Sequence, residues 1–164
     1  MIKYIMFFIF MTALNFSARA EDYDFRKTQW GMTILEVKHT EPVPPIVEQE
    51  FADPYIENLY CIVYYLNAFN RKCQLSYTFE NNRLVSALYS FDEKNNISAM
   101  NLYKDITTSL YKKYKKIYEY NGLFTEFENS KTHIVVSQSG PYIMYSEKIY
   151  NKKRELKRHQ HNEE

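Results

Sequence analysis

Glycine is scarce in this chain, with only three among its 164 residues. A phosphate-binding loop needs several closely spaced glycines, so the sequence excludes a nucleotide-binding loop of that kind. The chain also has no G-x-S-x-G turn, which excludes a nucleophile of the α/β-hydrolase type. Charge is nearly balanced, with 21 Lys and Arg against 20 Asp and Glu. Nucleic-acid-binding domains usually carry a marked basic excess, so we expect no nucleic-acid partner.

Cysteine is also rare, and Cys61 and Cys73 are the two that the chain contains. A turn at residues 70–72 is predicted to place Cys73 opposite about Asn67. Cys61 then lies about six residues further along, on the order of 20 Å away. A disulfide needs Cα atoms about 4.4–6.8 Å apart. This geometry favours two buried free thiols, whereas a turn centred on Asn67 would allow the bond.

The first 20 residues have the three zones of a secretory signal peptide. Lys3 supplies the basic start, residues 4–14 are almost entirely apolar, and residues 18–20 form an A-x-A cleavage site. The apolar run is shorter than the about 20 residues that a membrane span needs. Cleavage leaves 19 basic and 20 acidic residues, a net charge of −1. We predict that residues 1–20 are a signal peptide and that the mature chain is periplasmic or extracellular, without a transmembrane span.

The rest of the chain suits one folded domain. The sequence contains 16 Tyr and 11 Phe, which favour a packed and strand-rich core. Residues 21–150 are therefore predicted to form a single α+β domain. Residues 151–164 are charged throughout and lack an apolar face, so this segment is predicted to be a charged, solvated tail or a frayed helix.

A short helix is predicted just after Gly31, which permits a tight turn. Thr33 and Glu36 have the spacing of a capping box, in which each side chain binds the other residue's backbone N–H. The helix is expected to end near His39. Prolines at positions 42, 44 and 45 forbid its continuation, so residues 40–56 are predicted to cross the surface in extended form.

The centre of the chain is predicted to be a three-stranded meander. Residues 59–66 are nearly all apolar, and residues 73–80 alternate apolar and polar side chains with a period of two. Asn81 and Asn82 suit a two-residue hairpin turn because asparagine tolerates positive φ. This turn predicts three opposed pairs: Glu80 with Arg83, Phe79 with Leu84, and Leu75 with Leu88.

A long helix and a second hairpin complete the predicted fold. An apolar stripe from Ala99 to Tyr114 recurs at three- and four-residue steps, with Asn96 or Ser98 as the cap. Lysines at 112–116 suit its C-terminal end. Residues 132–137 and 142–145 are predicted to pair around a turn at 139–141. The predicted fold is α+β: an antiparallel sheet of about five strands, a three-stranded meander plus a C-terminal hairpin, packed on one face by one short and one long helix.

The segment from Phe25 to Lys38 resembles a loose family of small exported bacterial proteins. Their mature N-terminus carries a Phe-Arg…Trp-Gly-Met-Ser/Thr-x-x-Glu-Val pattern, and the specific match is Trp30–Val37. The resemblance implies a cell address and no established activity. Helices of that family end in Lys-Tyr-Gly-Lys-Pro, whereas residues 113–116 here lack the Gly and the Pro. A fainter likeness, to small outer-membrane assembly lipoproteins that act as binding scaffolds, favours protein interaction by fold analogy alone.

The residues that carry this resemblance are also the candidate interaction motif, and they have two interpretations. They form an exposed recognition patch or, as the capping pattern favours, a packing device with a buried Trp. They are Trp30, Gly31, Met32, Thr33 and Glu36.

Other candidate sites are weaker, and no catalytic residue is assigned. His159 and His161 near Glu163 and Glu164 are weak metal ligands because they lack a closed ligand set, so no metal or other cofactor is expected. The lysines at 112–116 suit either an anionic envelope polymer or a solvated helix end.

Three functional hypotheses follow. The leading one is a non-enzymatic exported domain that binds another envelope protein through its sheet face or edge. The second is a small-molecule or glycan binder that uses exposed Tyr89 or Tyr118. The third is an enzyme of unrecognised type, which a His133 hydrogen-bonded to an acid inside a cleft would favour.

Overall fold

The structure, a computed structural model, describes residues 24–93 and 95–162. The predicted signal peptide lies outside the described residues. Within these ranges the chain forms three helices and eight strands. In chain order they are α1 Ile34–Thr40, β1 Val47–Phe51, β2 Leu59–Ala68, β3 Arg71–Glu80, β4 Arg83–Phe91, α2 Asn96–Tyr111, β5 Lys115–Tyr120, β6 Phe124–Glu128, β7 Thr132–Ser137, β8 Tyr142–Glu147 and α3 Lys148–Asn162.

All eight strands join one antiparallel sheet in the order β1-β2-β3-β4-β8-β7-β6-β5. Two four-stranded meanders, β1–β4 and β5–β8, therefore meet where β4 pairs with β8. The α+β class is confirmed, but the prediction of about five strands is wrong. The additional strands include both edges of the sheet, where a strand buries too little surface to show a clear apolar alternation. All residues of β1 and all residues of β5 are exposed.

The hairpin of β3 and β4 turns at Asn81 and Asn82, both at positive φ. Two of the predicted pairs are confirmed, Glu80 with Arg83 and Phe79 with Leu84. The third is wrong, because a β-bulge between Thr78 and Phe79 shifts the register, and Leu75 faces Tyr89. A bulge puts two residues of one strand opposite one of the other, which period-two reasoning does not anticipate.

Cys61 and Cys73 are free thiols. The turn between β2 and β3 lies one residue earlier than predicted, with Phe69 and Asn70 at positive φ, so Cys73 faces Leu66 and Cys61 faces Thr78. Cys61 and Leu66 are roughly 16 Å apart along β2 at 3.3 Å per residue, far beyond disulfide reach. Burial raises the pKa of both thiols, which disfavours the reactive thiolate.

The long helix is shorter than predicted. α2 is capped by Asn95, whose side chain accepts hydrogen bonds from the backbone of Ile97 and Ser98, and it ends at Tyr111. Lys115 and Lys116 lie in β5 instead of in a last helical turn. Pairing with β6 and burial of Tyr114, which is 8% exposed, hold the chain in the sheet.

The main core lies on one face of the sheet, beneath α1 and α2. Val37 of α1 and Leu102 and Ile106 of α2 are at most 2% exposed and belong to the same cluster as the inward side chains of the strands. α3 lies on the other face, where Tyr150 packs with Ile56, Leu59 and Val85. The two predicted helices therefore lie on one face, and the additional helix α3 on the other face was not predicted. Residues 151–162, which were predicted as a charged, solvated tail or a frayed helix, form most of α3. Among the described residues, no helix is long and apolar enough to cross a membrane.

Tyr64 is fully buried in this core, and its hydroxyl has no hydrogen-bond partner among the described residues. Burial, and then the nearby charges of Glu41 and Glu48, raise the pKa of Tyr64 to about 12. A tyrosine in the unfolded chain ionises near pH 10. Between pH 10 and 12 the unfolded chain therefore releases a proton that the folded chain retains, and stability falls.

We expect Tyr64→Phe to reduce this alkaline loss by on the order of 2 kcal/mol at pH 12. The measurement is urea unfolding of both proteins at pH 8 and at pH 12. Tyr65→Phe is the matched control because Tyr65 is 68% exposed, and its alkaline loss should equal that of the unchanged protein. Equal losses for the Tyr64→Phe and Tyr65→Phe proteins would contradict the assignment.

Candidate functional site

The predicted motif lies where the N-terminal segment joins the sheet. Trp30 is half-buried, and its indole Nε1 donates a hydrogen bond of 2.9 Å to Thr132 Oγ1 at the start of β7. Its backbone N–H donates to the carboxylate of Asp24 over 3.0 Å. The first bond holds the ring against β7, and the second joins the Trp30 backbone to the N-terminal segment.

Gly31 and Met32 continue this attachment on β4. The Gly31 N–H donates to Leu84 O and the Leu84 N–H donates to Met32 O, so the segment hydrogen-bonds like a short added strand. Gly31 has φ +88°, and a Cβ there would lie 3.2 Å from Arg83 Nη2. Glycine suits the position on both grounds.

The capping box is confirmed. The Glu36 N–H donates to Thr33 Oγ1, and the Thr33 N–H donates to Glu36 Oε2 over 2.7 Å. The Thr33 hydroxyl donates to the same oxygen over 2.8 Å, and the two hydrogen bonds from Thr33 to the carboxylate lower the pKa of Glu36. The geometry of the motif residues is thus that of a packing and capping device, and a recognition role for them stays a prediction.

A charge network around the buried Glu41 carboxylate fastens the same segment to the sheet. Arg26 donates from Nε and Nη2 to the two oxygens of Glu41, at 3.0 and 3.1 Å, and from Nη1 to the Tyr89 hydroxyl at 2.8 Å. Tyr77 donates to the same carboxylate over 2.5 Å. The Glu41 side chain is only 1% exposed. Burial and this hydrogen bond raise the pKa of Tyr77, so its hydroxyl stays a donor.

His133 lies in a second polar network, beneath α3. Its Nε2 is 3.0 Å from Glu126 Oε2, and its Nδ1 is 3.1 Å from Asn151 Nδ2. An amide nitrogen can only donate, so Nδ1 accepts and Nε2 carries the proton that binds Glu126. Asn151 also donates to Ser146 Oγ over 2.7 Å. The residues open onto a cleft of about 290 Å³ beside Arg154 and Arg158.

This arrangement meets the condition that we set for an enzyme, since His133 binds an acid next to a cleft. Both ring nitrogens are engaged, however, so neither is free to take a proton from a substrate. Ser146 is 1% exposed and is held by Asn151, which leaves its hydroxyl away from solvent. The network suits the docking of α3 better than it suits catalysis.

The remaining candidates are separate from one another. His159 and His161 are exposed on α3, and residues two apart on a helix do not face the same side. Among the described residues, no group of three or more His, Cys, Asp or Glu is placed to hold a metal ion. The lysines at 112–116 are split between the end of α2 and β5.

A site that sequence reasoning missed lies on the face of the sheet opposite the main core. One residue from each of seven neighbouring strands stands in register there, and we call this set the open row. Across the sheet, from β2 to β5, its members are Tyr65, Gln74, Ser90, Tyr142, Ser137, Phe124 and Tyr120. No member is charged, and four of the seven are aromatic.

The open row is accessible at both ends. Tyr65 is 68% exposed and Tyr120 is 47% exposed, while Tyr142 and Phe124 are half-buried between them. α3 contacts Ser146, which lies roughly 13 Å along β8 from Tyr142 at 3.3 Å per residue. The helix therefore covers a different part of this face.

Aromatic rings gather at the β5–β6 end of the open row. Tyr120 stacks on Phe124 with ring centroids 5.6 Å apart, and Tyr118 of β5 contacts Phe124 at the same distance. Tyr118 is 48% exposed, as expected for a binding aromatic. Tyr89, which we expected to be exposed, is only 5% exposed and packs in the core.

A cavity of about 750 Å³ lies at the other end of the open row. Tyr65, Gln74 and Ser90 of the row line it, together with Phe91 and Asp92 at the end of β4. This volume falls within the range of about 300–1,000 Å³ that is usual for small-molecule sites.

No protein-family model, curated protein or solved structure matches this chain. The resemblance to small exported bacterial proteins therefore stays a prediction.

Proposed function

We propose that the chain is an exported, non-enzymatic domain that binds another envelope protein through the open row. The observation that carries the proposal is an unbroken, uncharged and aromatic-rich row on a part of the sheet that the described helices leave accessible. The cores of protein interfaces are likewise depleted in charge and enriched in Tyr and Phe. The export part of the proposal is supported by the features of residues 1–20.

Tyrosine is well suited to anchor such a contact. It offers a large apolar ring with a polar hydroxyl and loses little side-chain entropy on binding. Tyr65 and Tyr142 stand on separate strands of the row with Gln74 and Ser90 between them, which provides two anchors with polar groups between.

Photo-crosslinking in the producing cell tests the proposal. A photoreactive amino acid in place of Ser90 is expected to trap one discrete envelope protein. The matched control is the same amino acid in place of Asn101, which is exposed on α2 on the opposite face. Tyr65→Ala and Tyr142→Ala are then expected to weaken binding of the purified partner by about tenfold or more. The same adducts from both positions, or none from position 90, would count against it.

The export part has a separate readout. Protein recovered from the cell is expected outside the cytosol with an N-terminus near Glu21. An intact Met1 on cytosolic protein would overturn it.

A small-molecule or glycan ligand is the second candidate, and the cavity beside Tyr65 and Phe91 favours it. Titration with soluble envelope oligosaccharides should then give saturable binding that Tyr65→Ala abolishes. Absence of binding to both sugars and small metabolites would leave the protein partner as the better explanation.

A further inference from the structure

Among the described strands, β5 forms one edge of the sheet. It pairs with β6 on one side, and no other described strand pairs with it. All six of its residues are exposed, and apolar groups dominate its outer end, with Ile117 at 42%, Tyr118 at 48% and Tyr120 at 47% exposure. An exposed edge strand offers unpaired backbone N–H and C=O groups to another strand.

The sequence of β5, Lys-Lys-Ile-Tyr-Glu-Tyr, is complementary to itself when read antiparallel. In one register Lys116 of each copy faces Glu119 of the other, and Ile117 faces Tyr118. Lys115 then faces Tyr120, where an ammonium group over a ring is attractive. Within one chain Lys116 Nζ already lies 2.8 Å from Glu119 Oε2, with both side chains exposed. In this register the two intrachain pairs lie side by side, so each lysine has a glutamate of its own chain and one of the second copy beside it. The apolar residues oppose each other.

The faces of the sheet on which the β5 side chains lie are compatible with this register. Lys116 and Glu119 oppose Phe127 and Thr125 of β6, both of which point into the core, so the two charged side chains lie on the core side. Lys115 and Tyr120 lie on the opposite side. The Lys116–Glu119 pairs and the Lys115–Tyr120 pairs therefore each lie on one common face of an extended sheet.

The other edge is protected against self-pairing. Antiparallel pairing of β1 about Gln49 would place Glu48 opposite Glu50 of the second copy, twice over. Like charges directly opposite each other destabilise a strand pair.

We propose that two copies of this chain pair antiparallel through β5 and form a two-fold symmetric dimer with a continuous sheet. A self-complementary edge closes after two copies, as a two-fold interface requires. Pairing of β5 with β1 of another copy would instead propagate without closure. Lysines and β-bulges, such as the one between Lys116 and Tyr118, often disfavour pairing at a sheet edge. Here Glu119 of the second copy faces Lys116 and neutralises its charge.

Charge reversal tests the register. The purified unchanged protein is expected to sediment as a concentration-dependent dimer with twice the monomer mass. Lys116→Glu and Glu119→Lys each place two like-charge pairs across the interface and are expected to weaken dimerisation by about tenfold or more. An equimolar mixture of the two single variants restores both opposite-charge pairs and is expected to form a heterodimer. The doubly exchanged chain, K116E/E119K, should dimerise again.

Glu50→Lys on β1 is the matched control and should leave the dimer unchanged. Circular dichroism of each single variant checks that the variant is folded. Dimerisation of the mixed variants would also show that both are folded. A protein that stays monomeric at high concentration, or a dimer that neither single variant weakens, overturns the proposal. The inference does not rest on the proposed function, because these variants leave Tyr65, Ser90 and Tyr142 of the open row intact.

Discussion

Replacing Arg26 with methionine is expected to lower the free energy of unfolding by about 3–5 kcal/mol. The change leaves the Glu41 carboxylate, whose side chain is 1% exposed, without its paired cation. Tyr77 still donates one hydrogen bond to it, but a single neutral donor does not offset a buried charge. Urea unfolding followed by the fluorescence of Trp30, the only tryptophan in the sequence, measures the loss.

Arg71→Met provides the matched control, since Arg71 pairs with Glu93 at 44% side-chain exposure. An exposed ion pair contributes about 0–1 kcal/mol, so this variant should unfold almost like the unchanged protein. If both variants lost the same small amount, the Glu41 carboxylate would not be buried and paired with Arg26 as the structure has it.

Phe25→Ala is expected to cost about 3–5 kcal/mol as well, through a cavity in the core. Phe25 is 4% exposed, and its ring centroid lies 5.7, 5.5 and 4.7 Å from those of Tyr77, Tyr89 and Tyr145. The three tyrosines belong to β3, β4 and β8, so all three strands lose a packing partner at once. Thermal and urea unfolding of the variant measure this cost.

The matched control for this change is Phe51→Ala on β1. Phe51 is 38% exposed at the sheet edge, and its truncation should cost about 1 kcal/mol or less. A loss at Phe25 no larger than the loss at Phe51 would show that the N-terminal segment is not part of the core.

Local signals predicted the local structures. The Thr33 capping box and the Asn81–Asn82 turn act over a few residues, and the structure has both. The hairpin of β7 and β8 is likewise found at residues 132–137 and 142–147, as its turn residues predicted. Each of these features depends on the conformational preferences and hydrogen bonds of a few consecutive residues, which the sequence shows directly.

Features that depend on distant partners were not predicted. Ile117 and Tyr118 follow a helix without a glycine stop, and only pairing with β6 shows that they form a strand. α3 has no continuous apolar stripe, and it is held by contacts of Tyr150 and Asn151 with the far face of the sheet. The helix and strand propensities of single residues carry no information about such tertiary contacts.

The candidate site shares this dependence. The open row needs the strand order and every register at once, and the bulge at Thr78 changes which residues of β4 belong to it. Exposure of Tyr118 was predicted correctly, whereas Tyr89 was misjudged because a period-two strand does not say which face is covered.

The pairing of β4 with β8 has a consequence for how the chain folds. Every other neighbouring pair of strands is joined by a short connection, but this pair unites residues 52 to 60 positions apart. Closing such a long segment costs more chain entropy than closing a hairpin, so contacts of this kind slow the search for the native topology. The two meanders can each assemble early as separate halves. We expect their union at β4 and β8, which Phe25 bridges, to be the step that sets the folding rate.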